Sequence, residues 1–165
     1  MRALSLWQPH AIAIGLGLKL YETRDWQLRP ADIGVPVAIH AAKKEFRERD
    51  YPWEYFKQVR DRLRAAGQLL HELDYGKVIC IATFSACIRT TSAIQIQLGE
   101  APIPLMADLP NSLFWGDFSD VDEFGKQRWA FKIENVRLIP KMQRPEITGR
   151  QGFFEVPNEI GLWGL

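Results

Sequence analysis

Within "GLGLKLYETRDW", Gly17, Lys19, Glu22 and Arg24 set a glycine, an ammonium, a carboxylate and a guanidinium at spacings of two, three and two. If the chain is extended after Lys19, Glu22 and Arg24 share one face of a strand. A glycine at 17 lets the backbone leave a preceding helix at an angle that bulkier residues accept poorly. Lys19 then sits near the mouth of the turn, where it can meet a phosphate or, once partly desolvated, act as a base. Glu22 can accept from amine donors while Lys19 and Arg24 can meet anionic or carbonyl oxygens. Trp7 and Trp26 are the aromatics that flank this segment. On spacing alone, a helix end followed by a solvated ion pair among Lys19, Glu22 and Arg24 is the commoner meaning of such a triplet.

Other residues extend the candidate set. Lys43 and Lys44 follow an apolar run and either form a positive rim or are simply solvated. Ser85 and Arg89 lie where a long strand turns polar, either at a site or where the strand leaves the core. Arg150 sits in "TGRQG", where exposed backbone amides could hold a phosphate or form an ordinary turn. Trp53, Trp115, Trp129 and Trp163 read as core, as large aromatics at periodic positions usually do.

The elements that must position these residues follow from pattern. Arg2 to Leu6 is short and apolar, and Gln8-Pro9 starts a short helix, Pro9 to Leu18, that Gly15 and Gly17 end. Val35–Ala42 reads as a buried strand. From Pro52, apolar residues at Trp53, Phe56, Val59, Leu63, Ala66, Leu70 and Leu73 keep the helical period. Lys77 to Arg89 is a long strand with an apolar even face and an odd face that turns polar at Ser85. Residues 90–100 suit a short helix or a loop, and "APIPLMADLPNS" a surface excursion. Arg128 to Val136 alternates cleanly, and Phe153 to Val156 makes a last strand. Strands outnumber helices without a βαβ rhythm, so the expectation is an antiparallel or mixed barrel with helices outside it.

Composition narrows the function. The 165 residues are 47% hydrophobic, enough for one ordinary core, and a single domain over 1–165 is expected. Lys+Arg 21 against Asp+Glu 20 leaves a formal charge of +1, so attraction to nucleic acid must come from a local patch. No segment approaches the ~20 apolar residues of a membrane span and no signal peptide is visible, so a cytoplasmic protein is expected. Cys80 and Cys87, seven apart in one strand, point to opposite faces, and three scattered histidines suggest no metal site.

Taken in order, "LSLWQPHA", "GLGLKLYETRDW", "VAIHAAK", "ATFSACIRT", "FWGDF", "WAFKIENVRLI" and "TGRQGFFEVP" resemble the successive blocks of the ASCH family. These are the activating-signal-cointegrator homology domains, related to PUA domains. The G-x-K-x-x-E-x-R signature falls on Gly17, Lys19, Glu22 and Arg24. The resemblance implies an α+β fold, a PUA-like small mixed β-barrel with flanking helices, and a cleft for a base or nucleotide. It adds Gln8 and Pro9 to the ligand-binding set, beside Trp7, Trp26, Lys43, Ser85 and Arg150. Implied partners are RNA or another single-stranded nucleic acid, or a modified nucleoside, with no cofactor. Some relatives are amidohydrolases of N4-acetylcytidine and one is a ribonuclease. On that reading Lys19 is nucleophile or general base and Glu22 relays protons. The small amidohydrolases carry threonine where this chain has Glu22. Tryptophan often stands in the family where this chain has His10.

Overall fold

A computed structural model describes residues 1–91 and 109–162. The expectations for residues 92–108 and for Trp163 lie outside the described residues. The strands are β1 (Arg2–Leu6), β2 (Tyr21–Arg24), β3 (Pro36–Ala41), β4 (Lys77–Arg89), β5 (Trp129–Leu138) and β6 (Phe153–Glu155). The helices are α1 (His10–Gly15), α2 (Trp53–Ala65) and α3 (Leu109–Trp115). The strands hydrogen-bond in the order β2-β5-β4-β3-β1-β6. Pairing is mixed: β1 runs parallel to β3 and antiparallel to β6, and β2 runs antiparallel to β5. The expected α+β class with a mixed sheet is therefore the observed one. No described helix is long and apolar enough to cross a membrane.

The chain divides into two compact units. The first comprises Met1–Gly17, Pro36–Ala82 and Val136–Leu165. There β1 lies between β3 and β6, with Leu4 opposite Ile39 on one side and Phe153 on the other. Both edges of β1 are thus hydrogen-bonded, and Ala3, Leu4 and Leu6 along it are buried. Ala3, Ala38, Val78, Ile81, Ile139 and Phe154 pack into one cluster of the core. The Gln8 side chain ties the start of α1 to Asp74. Gln8 is buried, its Oε1 accepts the Ile12 N–H at 3.1 Å, and its Nε2 donates to the Asp74 carbonyl at 2.8 Å.

Helix α2 buries Phe56, Val59 and Leu63 at spacings of three and four, the stripe expected of an amphipathic helix. It ends at Ala65, before the apolar period does. Gly67, at φ +80°, breaks the helix, and Leu70–Glu72 continues as a 3-10 turn. The expectation for Trp53 is overturned: it is 53% exposed. At the first turn of α2 it falls outside the Phe56–Val59–Leu63 stripe, so an aromatic in phase with a helix is here a surface residue.

The second unit comprises Leu18–Val35 and Thr83–Asn135. Strand β2 pairs with β5 in the register Tyr21↔Lys132, Glu22↔Phe131, Thr23↔Ala130 and Arg24↔Trp129. Tyr21, Phe118 and Ala130 form a small core cluster, with Ile88 and Leu113 against it. Phe84 meets Phe131 edge-on at 5.5 Å between ring centroids. Trp115 is buried as expected, while Trp129 is only partly so. Helix α3 takes up residues 109–112, which the sequence reading gave to a surface excursion. Pro110, in the first turn, needs no N–H partner there.

Candidate functional site

Gly17 adopts φ +70° with no atom near where a Cβ would stand, and the chain turns there from α1 toward β2. A residue with a side chain would be strained at that φ, so glycine at this point of the signature has a backbone reason. After it, Lys19 and Glu22 both fold inward.

Within the second unit, Lys19 and Glu22 are 4% and 5% exposed. Lys19 Nζ lies 2.8 Å from Glu22 Oε2, and Arg24 Nε lies 2.9 Å from Glu22 Oε1. Glu22 and Arg24 share a strand face, as their spacing predicts, and the carboxylate spans both cations. Lys19 Nζ also donates to the Trp115 carbonyl at 2.9 Å. The triplet is thus a buried ion cluster rather than a solvated pair, with one negative and two positive groups. Arg24, at 27% side-chain exposure, is its accessible member. Burial weakens screening and strengthens every charge interaction in the group.

The opposite face of β2 is structural. Thr23 Oγ1 accepts the Asp117 N–H at 3.2 Å, and Tyr21 meets Phe118 edge-on. Gly116 fits beside it because an added Cβ would stand 2.7 Å from the Phe118 ring. Trp26, two residues past Arg24, is half-buried with its ring 5.1 Å from that of Phe131. Ser85 Oγ is shielded from solvent. Beside it stands Glu134, whose carboxyl is held below its usual range first by Lys132, 2.5 Å away, and then by Ser85. Arg128 pairs with Asp117 at 2.9 Å. Sequence reading passed over Glu134, Asp117 and Arg128. The alternation of "WAFKIEN" puts Lys132 and Glu134 on one face and was the available signal for that pair.

The remaining candidates belong to the first unit. Trp7 is 55% exposed, and Lys44 Nζ stands 4.2 Å from its ring centroid. Lys43 is exposed, its stem lying over Gly76. Arg150 is exposed. Its neighbour Gly149 packs against His40 and Ser5, where an added Cβ would come within 2.6 Å of His40 Nδ1 and of Ser5 Oγ. Ser5 Oγ and His40 Nδ1 are 2.8 Å apart. Gly149, Ser5 and His40 thus pack against one another, with Ser5 partly buried.

By sequence, the chain matches no protein-family model and no curated protein. By structure, it is similar to the ASCH protein of Zymomonas mobilis, with a TM-score of 0.55 at 17% identity, over 98% of this chain and 90% of that one. The fold is that of the ASCH domain. A point mutant of the same Zymomonas mobilis protein superposes with a TM-score of 0.51 at 16% identity, over 98% of this chain and 93% of that one. Within the second unit, Glu22 and Arg24 of the signature lie on β2 and Lys19 just before it, where Lys19 and Glu22 form a buried pair.

Proposed function

We propose that this ASCH-fold chain is a nucleic-acid-binding domain of the cytoplasm, taking single-stranded RNA or a modified nucleoside at the Lys19–Glu22–Arg24 group. The observation that carries this reading is the partly exposed Arg24 side chain, whose buried Nε is held by the Glu22 carboxylate. A guanidinium fixed in this way loses little freedom on meeting a phosphate or a base carbonyl. The net positive charge of the group favours an anionic ligand, and Trp26 stands two residues along the chain as a surface for a base. Binding is preferred over amide hydrolysis because the Lys19 amine is ion-paired with Glu22 and donates to the Trp115 carbonyl, which engages it as a cation and donor rather than a nucleophile.

Titrating a short single-stranded RNA at two salt concentrations tests this. Affinity should fall with salt, and Arg24→Ala should weaken it about ten-fold. Binding indifferent to Arg24→Ala would overturn the assignment of the site. Release of acetate from N4-acetylcytidine, lost in Lys19→Ala, would put catalysis ahead of binding.

A further inference from the structure

On α2, Trp53, Lys57, Arg60 and Arg64 follow one another at spacings of four, three and four, so they line one face of the helix. Lys57 and Arg64 are exposed, and Arg60 is partly so. The buried residues Phe56, Val59 and Leu63 lie on one flank of this stripe, and the acidic Glu54 and Asp61 on its other flank. The stripe therefore presents one aromatic and three cations in a row, over a rise of about 16 Å. The Trp53 ring lies nearly parallel to Phe56, with 6.4 Å between centroids, and Phe56 stacks on Phe46 at 5.1 Å. This backing holds the indole in place while it remains 53% exposed. The Arg60 guanidinium sits 5.9 Å from the indole centroid. It pairs with Asp61 at 3.0 Å, an exposed contact that is cheap to rearrange.

The far end of the stripe runs into a cavity of about 270 Å³ lined by Arg60, Arg64, Gln68, Leu69, Leu70 and His71. Its lining pairs two guanidiniums with an apolar wall, of which Leu69 is 41% exposed. Between residues 43 and 64 there are eight Lys and Arg against five Asp and Glu, in a chain whose total is +1. The local positive excess thus lies on the segment that carries the exposed indole.

We infer that this face of α2 is a docking track for single-stranded nucleic acid. A base stacks on Trp53, successive phosphates meet Lys57, Arg60 and Arg64, and the cavity receives a further nucleotide. Chemistry selects this occupant: a row of cations alone would suit any polyanion, but a backed, exposed indole at its end suits an unpaired base. The inference rests on the nucleic-acid reading of the chain while assigning a second surface, separate in sequence from Arg24.

Binding of a labelled oligouridylate to the full chain should weaken roughly ten-fold in Trp53→Ala and recover largely in Trp53→Phe. The double variant Arg60→Ala/Arg64→Ala should lower the slope of log affinity against log salt by about 1.4, the value for two phosphate contacts on a single strand. Both sites are on the helix surface, and circular dichroism will show that the variants remain folded. Binding weakened by Arg24→Ala but unchanged by Trp53→Ala would overturn this inference and leave the Arg24 reading standing. The inference also fails if a duplex of the same length binds as well as the single strand, or if polyglutamate binds equally tightly without regard to Trp53. Loss of binding in Trp53→Ala with none in Arg24→Ala would uphold the α2 track and remove the other site.

Discussion

Lys19 Nζ and Glu22 Oε2 stand 2.8 Å apart with both side chains almost wholly withdrawn from water. Two charges desolvated together depend on each other: removing one leaves the other buried and uncompensated, at a cost of about 3–5 kcal/mol. Glu22 faces two cations, whereas loss of Lys19 leaves Glu22 paired with Arg24. Glu22→Ala should therefore lower the urea midpoint more than Lys19→Ala does. Equal losses, or a larger loss for Lys19→Ala, would show that the carboxylate is not the hub of the cluster.

Gly149 should not tolerate a side chain. Its Cα lies against the His40 ring and Ser5 Oγ, both inside the first unit and unable to retreat far. Gly149→Ala is expected to cost about 1–3 kcal/mol, as overpacking usually does. Gly17→Ala meets no neighbour and should cost only the positive-φ strain, about 1–2 kcal/mol. Thermal unfolding of the two variants separates steric from conformational cost, and a stable Gly149→Ala would contradict the packing described.

His40 gives the stability a dependence on pH. Burial holds its imidazole below the ordinary range, nearby Lys43 pushes the same way, and the Gly76 and Ile147 carbonyls pull in the opposite direction. The folded chain thus takes up a proton less readily than the unfolded one. Above the unfolded value of 6.5 neither state is protonated and nothing changes. As pH falls below it, the unfolded state gains the proton first and stability declines. Urea midpoints recorded from about pH 7 down to about pH 5 should fall, and His40→Gln should flatten that fall. A profile of equal slope in the variant would assign the effect to other groups.

The two cysteines should differ in reactivity. Cys80 is fully buried and its thiol is pushed up to about 12, while Cys87 is half-buried and raised less by the same desolvation. Since the thiolate is the reactive form, iodoacetamide should modify Cys87 slowly in the native protein and Cys80 only on unfolding. Mass spectrometry of the intact chain over time checks this. Equal native rates would refute it.

What could be read in advance was whatever repeats with a period. The bounds of β4 were legible because thirteen residues without a turn signal can hardly be anything else. The Glu22–Arg24 face followed from alternation, and the ASCH resemblance from an ordered series of blocks. Burial of Lys19 was not legible, because it depends on a carbonyl of Trp115 that lies ninety-six residues away. Trp53 misled for the opposite reason: its spacing to Phe56 is helical, but spacing alone does not say which edge of an apolar stripe meets solvent. The Ser5–His40–Gly149 contact joins three segments distant in sequence, and no local pattern announces it.

The place of β1 between β3 and β6 has a consequence for how the chain is made. Its register partners are Val37 to Ala41 on one side and Phe153 to Glu155 on the other. During synthesis β1 can therefore pair early with β3, but its other edge stays open until β6, far along the sequence, has been made. Pairing over so many residues is slow to form, and the exposed edge invites pairing with other nascent chains. Folding yield should accordingly be more sensitive to chaperone supply and growth temperature than the stability of the finished protein would suggest.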